Sequence, residues 1–131
     1  MWGDFSAAEM QRELLNAKGQ NVSVLLNSPG GDAFEGIAIF NLLRAYEGLV
    51  NMRVLGLAAS AASIIAMAGD TIEMAEASTM MIHSAWGVVM GNKKDMLQFA
   101  ELLDKLDSAL ADVYSRRTGQ AFDAVVEMME K

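Results

Sequence analysis

Three short stretches of this sequence carry residue types that can do nucleophilic chemistry together. The first is Asn27-Ser28-Pro29-Gly30-Gly31-Asp32. Paired glycines after an apolar run let backbone approach a ligand closely and turn amide N–H groups toward it. Stabilising a developing oxyanion requires that arrangement. The same residues also make a tight strand-to-helix turn, and no Gly-Lys-Ser/Thr follows, so a phosphate loop is disfavoured. The second stretch is Gly56-Leu57-Ala58-Ala59-Ser60-Ala61-Ala62-Ser63. Small neighbours around Ser60 leave room for a substrate backbone, and the helix start beside it offers partial positive charge to an alkoxide. Ser60 also reads as the N-cap of that helix. Ser63, one turn in, is the rival hydroxyl and reads as a small packing residue. The spacing is not Gly-x-Ser-x-Gly, which argues against an α/β-hydrolase. The third stretch, Thr79 to Trp86, holds the sole histidine, His83, at the end of an apolar run. A lone histidine is commonly structural, but strand ends in α/β folds are where ligands meet side chains. A neutral imidazole is also a natural base for a serine hydroxyl. Together the stretches supply oxyanion donors, nucleophile and base. They do not supply a carboxylate to orient the imidazole.

The elements that must position these residues can be read from periodicity and punctuation. Ser6 to Ala17 is expected to be a helix, with Ser6 and Glu9 at capping-box spacing and Gly19 as its stop. Val22 to Leu26 is expected to be a buried strand. Ala33 to Tyr46 is a second helix ended by Gly48. Met52 to Leu55 is a short strand, Gly56 to Ala59 a small-residue turn, and Ser60 to Ala68 a helix apolar all round and therefore buried. Thr71 to Met74 and Thr79 to His83 are further strands. Alternating strands and helices of this kind predict an α/β fold with crossover connections. Asn92 to Arg116 is a long helix with Met96, Phe99, Leu103, Leu106, Leu110 and Val113 repeating at three and four. Its apolar stripe packs either on its own domain or on another subunit. Phe122 to Met129 is a last short helix. No internal boundary is visible, so residues 1–131 are expected to form a single domain.

Composition narrows the function classes. The 131 residues carry a net charge of -7, which repels phosphate and anionic lipid and excludes general nucleic-acid or membrane-surface binding. The absence of cysteine excludes disulfide frameworks and thiolate zinc sites, and one histidine excludes His-rich metal sites. Eleven methionines and 53% hydrophobic residues suit either a generous core or apolar surface buried between subunits. Met1-Trp2-Gly3-Asp4 has no basic region ahead of an apolar run, and the longest uncharged stretch, Val54 to Gly69, is too short to span a bilayer. A cytoplasmic location is the default expectation.

On these motifs the sequence resembles the proteolytic subunit of the Clp protease. More closely, it is similar to Clp-like proteases encoded by phages and prophages, some of which act in capsid maturation. The resemblance runs from about Glu9 to Lys131. It is carried by Asn27-Ser28-Pro29-Gly30-Gly31, by Ala58-Ala59-Ser60 with its small-residue helix, by Met81-Ile82-His83, and by Arg117-Thr118-Gly119-Gln120. It implies a Clp protease/crotonase-like α/β fold of repeated strand–helix units with a protruding handle helix at about residues 92–116. It implies a serine endopeptidase with Ser60 as nucleophile and His83 as general base. Backbone N–H groups of Gly31 and Ala61 would form the oxyanion hole, although the family carries methionine where Ala61 stands. No metal and no cofactor are implied. The implied assembly is a homo-oligomer of rings joined through the handle, enclosing sites for peptide or protein substrates. An ATP-dependent unfoldase or capsid proteins are the implied partners.

The chain departs from the family pattern at both ends. The family's first strands and gate-forming segment would precede Trp2, and its final strand segment is also expected to be missing. Its triad aspartate would fall one residue past Lys131. Asp112 and Asp123 do not match that position. Other readings make distinct demands. An acyl-CoA enzyme of the related crotonase fold would need neither Ser60 nor His83. A signal peptide peptidase, related in fold, uses a serine–lysine pair, and the nearest lysines here are Lys93 and Lys94. A non-catalytic ring-assembly protein of the same fold would dispense with the chemistry.

Overall fold

The computed structural model describes residues 6–131. Met1–Phe5, on which the expectation of a leaderless N-terminus falls, lie outside the described residues. The described residues up to Ile82 form one compact unit, and His83–Lys131 form a second.

The first unit opens with helix α1 (Ala7–Ala17). The Ser6 hydroxyl accepts from the Glu9 N–H at 3.1 Å, so the expected cap is present. Strand β1 (Val22–Ser28) runs into helix α2 (Ala33–Ala45), whose cap is Asp32, accepting from Phe34 and Glu35. Strand β2 (Val50–Ala59), helix α3 (Ala61–Ala66), strand β3 (Thr71–Met74) and strand β4 (Thr79–Met81) follow. All pairings are parallel, as crossover connections require. The ten-residue β2 is the spine of the four-stranded sheet. It pairs with β1 along one edge, and along the other with β3 over Asn51–Val54 and β4 over Leu57–Ala59.

Val50, Met52 and Val54 are buried on one face of β2, while Asn51, Arg53 and Leu55 point the other way. α3 packs on β1 and β2, and α2 packs on α3. Val54, Ala58 and Ala62 form the heart of this core, with Met80 against it.

Three expectations are corrected here. Gly56–Ala59 is not a turn but the second half of β2. Small residues are poor strand formers alone, but the ladder to β4 and close packing against Asn27 and α3 override that preference. β1 is not buried on both faces, since Ser23 and Leu25 lie outward and Leu25 is 63% exposed. The Thr79–His83 strand stops at Met81, and His83 lies beyond it.

The second unit comprises helices α4 (Lys93–Thr118) and α5 (Phe122–Glu130). Asn92 and Asp95 form a reciprocal capping box at the start of α4, and Gly119 ends it with φ 78. The apolar stripe of α4 divides into two halves. Leu106, Leu110, Ala111 and Tyr114 are buried, whereas Met96 and Leu97 are 51% and 56% exposed. The C-terminal half therefore packs more deeply within this chain, while in the N-terminal half Phe99 is half-buried beside Gly87. Among the described residues no helix is long and apolar enough to cross a membrane.

The two faces of β2 should respond differently to truncation. Met52→Ala, at a side chain with no exposure, is expected to cost about 2–5 kcal/mol. Leu55→Ala on the opposite face should stay within about 1 kcal/mol. Chemical denaturation of both variants checks the assignment.

Candidate active site

Ser60 sits at the junction where β2 turns into α3. Its backbone is held at φ 55, ψ -122, the first central position of a type II′ turn and ordinarily a glycine conformation. A non-glycine residue held there costs about 1–3 kcal/mol. Several hydrogen bonds hold it. Its N–H donates to the Met81 carbonyl at 3.0 Å, and its carbonyl accepts from the Ser63 N–H at 3.0 Å. The Ser63 hydroxyl donates to the same carbonyl at 2.5 Å.

This geometry bears on the capping reading of Ser60, which occupies the N-cap position of α3. Its side chain makes no capping hydrogen bond to α3. Ser60 itself sits in a sharp strand-to-helix turn, the backbone setting that the Gly-x-Ser-x-Gly elbow also uses. Ser63, in contrast, is fully buried and committed to the Ser60 carbonyl, as its reading as a packing residue requires.

The diglycine turn meets this junction. A Cβ on Gly30, whose φ is +110, would lie 2.8 Å from both the Ala59 carbonyl oxygen and the Ser60 Cβ. Only glycine satisfies both the dihedral and the approach. The Gly30 N–H is taken by the Ser28 hydroxyl at 3.1 Å. Gly31, next along, is exposed. The buried Gly36 brings α2 equally close, because a Cβ there would lie 3.0 Å from that of Ala61. A cavity of about 360 Å³ opens at this place, and Gly30, Gly31, Ala61, Ala62 and Ile65 are among the residues lining it. As the first residue of α3, Ala61 has an N–H with no acceptor inside the helix.

His83 opens the second unit. Its ring is half-buried, and Nδ1 lies 2.8 Å from the Ser84 carbonyl oxygen. A carbonyl can only accept, so Nδ1 is the donor in this contact. The backbone that follows is tied at two points. Ser84 N–H donates to the Met129 carbonyl at 2.9 Å, and Ala85 N–H donates to Asp107 Oδ1 at 2.6 Å.

Of the residues singled out by sequence, Gly31, Ser60 and Ala61 thus fall in one unit around the diglycine turn, and His83 falls in the other. Sequence reasoning missed Gly36, which carries no turn signal because it lies inside a helix, and Asp107, whose partner is 22 residues away. Among the described residues no group of three or more Asp, Glu or His side chains could hold a metal ion.

Comparison with known proteins bears on this arrangement. Residues 4–131 match the family model described as Clp protease. The ATP-dependent Clp protease proteolytic subunit of Pleurastrum terricola is 32% identical over 110 residues, covering 82% of this chain and 56% of that protein. The protein of the same description from Bacteroides fragilis is 30% identical over 128 residues, covering 93% and 62%. That from Deinococcus radiodurans is 30% identical over 114 residues, covering 86% and 56%. The chain therefore spans between 56% and 62% of the length of these curated relatives.

The contact between Gly30 and the Ser60 turn sets the first test of the site. Gly119 also has a positive φ but faces open space, so Gly119→Ala is expected to cost about 1 kcal/mol. Gly30→Ala adds a clash with backbone to a comparable dihedral strain and should cost more than about 2 kcal/mol. The two denaturation midpoints, measured side by side, check the difference.

Proposed function

Because the chain belongs to the Clp protease family, we propose that the protein is a serine endopeptidase in which Ser60 is the nucleophile and His83 the general base. The observation that carries this reading is the Ser60 backbone, held in a glycine-like conformation with its hydroxyl released from capping duty. Strain of that kind persists where the surroundings over-determine it, and it clusters at sites of chemistry. Chain connectivity supports the base, since the Met81 carbonyl takes the Ser60 N–H and one residue separates Met81 from His83.

In this mechanism the Ser60 hydroxyl attacks a peptide carbonyl as its proton passes to His83 Nε2. The carbonyl oxygen becomes an oxyanion, which the N–H groups of Gly31 and Ala61 stabilise; losing one such donor costs on the order of 10²–10³ in rate. His83 returns the proton to the departing amine, the C–N bond breaks, and an acyl-enzyme remains on Ser60. Water, deprotonated by His83, then hydrolyses the ester and regenerates the hydroxyl. Ile39 and Ile65 are among the residues lining the cavity beside Ala61, which suits an apolar substrate side chain.

The same proposal places these sites inside a homo-oligomeric ring assembly closed through α4, the handle of a single protease domain. Supporting it, the N-terminal half of α4 presents Met96 and Leu97 to solvent, and Leu25 and Leu55 stand exposed on the outward face of the sheet. Apolar surface of this kind marks protein–protein contact. The motifs that resemble phage and prophage enzymes extend the reading to that branch, with capsid proteins or unfolded chains as substrates.

Ser60→Ala is expected to abolish labelling by a fluorophosphonate probe, and Ser63→Ala to leave labelling on Ser60. The reverse pattern would move the nucleophile one turn along α3. His83→Ala should slow peptide hydrolysis by roughly 10⁴-fold or more. Rings seen by native mass spectrometry without any peptide hydrolysis would select a non-catalytic assembly protein instead.

A further inference from the structure

Adjacent glycines have more backbone freedom than any other pair, yet an oxyanion donor acts only if its N–H is already aimed. The Pro29–Gly30–Gly31 turn must therefore be held, and contacts within the first unit hold it. The Ser28 hydroxyl accepts from the Gly30 N–H at 3.1 Å. This closes a small ring around Pro29, whose φ is already locked by its side chain, so the Pro29–Gly30 peptide keeps one orientation. Ser28 is fixed in turn, as the last residue of β1 and the ladder partner of Ala58. The ladder reaches that pair across an irregularity. Leu26 is level with Val54 and Ser28 with Ala58, so β2 is the longer side there. The Asn27 side chain bridges the gap, its Oδ1 accepting from the Leu57 N–H at 3.1 Å, in space that a Cβ on Gly56 would take. Irregularities of this kind recur beside active sites, where they re-aim a side chain.

We propose that Ser28 is a positioning residue for the reaction: its hydroxyl occupies the Gly30 N–H and so keeps the next amide, that of Gly31, aimed at the oxyanion. This deepens the reading of Gly31 as an oxyanion donor and rests on it. The two glycine amides have different tasks. The Gly30 N–H is held against the end of β1, and the φ of +110 at Gly30 folds its α-carbon against the Ala59 carbonyl and the Ser60 Cβ. Gly31 follows that fold, is exposed and lines the cavity. With the Pro29–Gly30 peptide fixed and Gly30 wedged beside Ser60, the Gly30–Gly31 peptide is restrained from its first atom. Without the Ser28 hydroxyl the Gly30 N–H turns to water, and the turn gains orientations in which the Gly31 N–H misses the reacting carbonyl. Substrate would still bind, but the transition state would lose a donor aimed in advance.

Ser28→Ala removes the hydroxyl and Ser28→Thr keeps it. Ser28→Ala is expected to lower kcat for a peptide substrate by about tenfold to a hundredfold with KM nearly unchanged, and to slow fluorophosphonate labelling of Ser60 to match. Circular dichroism at the assay temperature checks that each variant is folded. Ser28→Thr should recover most of the rate. Amide hydrogen exchange reads the contact without reference to activity: the Gly30 N–H should be protected in the parent protein and lose that protection in Ser28→Ala. A parent Gly30 amide exchanging at the rate of an open loop overturns the proposal whether or not the variants fold. So does a fall in rate that a folded Ser28→Thr protein fails to restore. A folded Ser28→Ala protein with unchanged kcat and labelling, where labelling still needs Ser60, rejects the role of Ser28 and leaves the nucleophile standing. Labelling of the protein that ignores Ser60→Ala removes the nucleophile, and the role of Ser28 with it.

Discussion

The structure depends on one strained residue at the end of its longest strand. β2 must change direction at Ser60 to become α3, and it does so through a dihedral pair that L-amino acids avoid. Nothing local to Ser60 would choose that conformation. The Met81 carbonyl fixes the residue from the neighbouring strand, Ser63 fixes it from within the helix, and Gly30 lets the preceding loop close over it. Each contact in turn requires something of the sequence. β4 must pair with the second half of β2, so Gly56–Ala59 must be extended. Ser63 must be small, polar and buried, and the loop after β1 must lack a Cβ at position 30. The site is thus a consequence of parallel pairing, with the turn residue held by elements distant along the chain.

What could be read in advance divides along the same line. The Ser6–Glu9 and Asn92 starts, the Gly119 stop and the helices between them were legible because caps and stops act within a few residues. The α/β class was legible because strands and helices alternate. Gly56–Ala59 was not, because its extended conformation comes from a ladder to residues more than twenty positions away, against local preference. Leu25 was misplaced for a related reason. Five residues with one polar interruption look buried on both faces, but period-two alternation leaves every second side chain outward, whatever its polarity. For the site, the diglycine and Ser60 could be picked out by residue type, whereas Ala61 was named only through the family resemblance; the dihedral angles of Ser60 were not legible in either way. His83 was recognisable as the only histidine. The hydrogen bonds around it carried no signal, since one joins Ala85 to Asp107, 22 positions away.

α4 joins these themes. Its C-terminal half is an ordinary amphipathic helix, with Leu106, Leu110 and Tyr114 buried. Asp107, between them, turns toward the Ala85 backbone. The helix that packs this unit is therefore also the one that holds the segment after His83 in place.

The uncovered N-terminal half of α4 has a thermal consequence. Association through Met96, Leu97 and their neighbours would be driven by removing hydrocarbon from water, a process whose strength near room temperature is entropic and fades as the solution is chilled. Subunits joined mainly by such a seam would separate in the cold and rejoin on warming, and storage on ice would then dismantle the particle rather than preserve it.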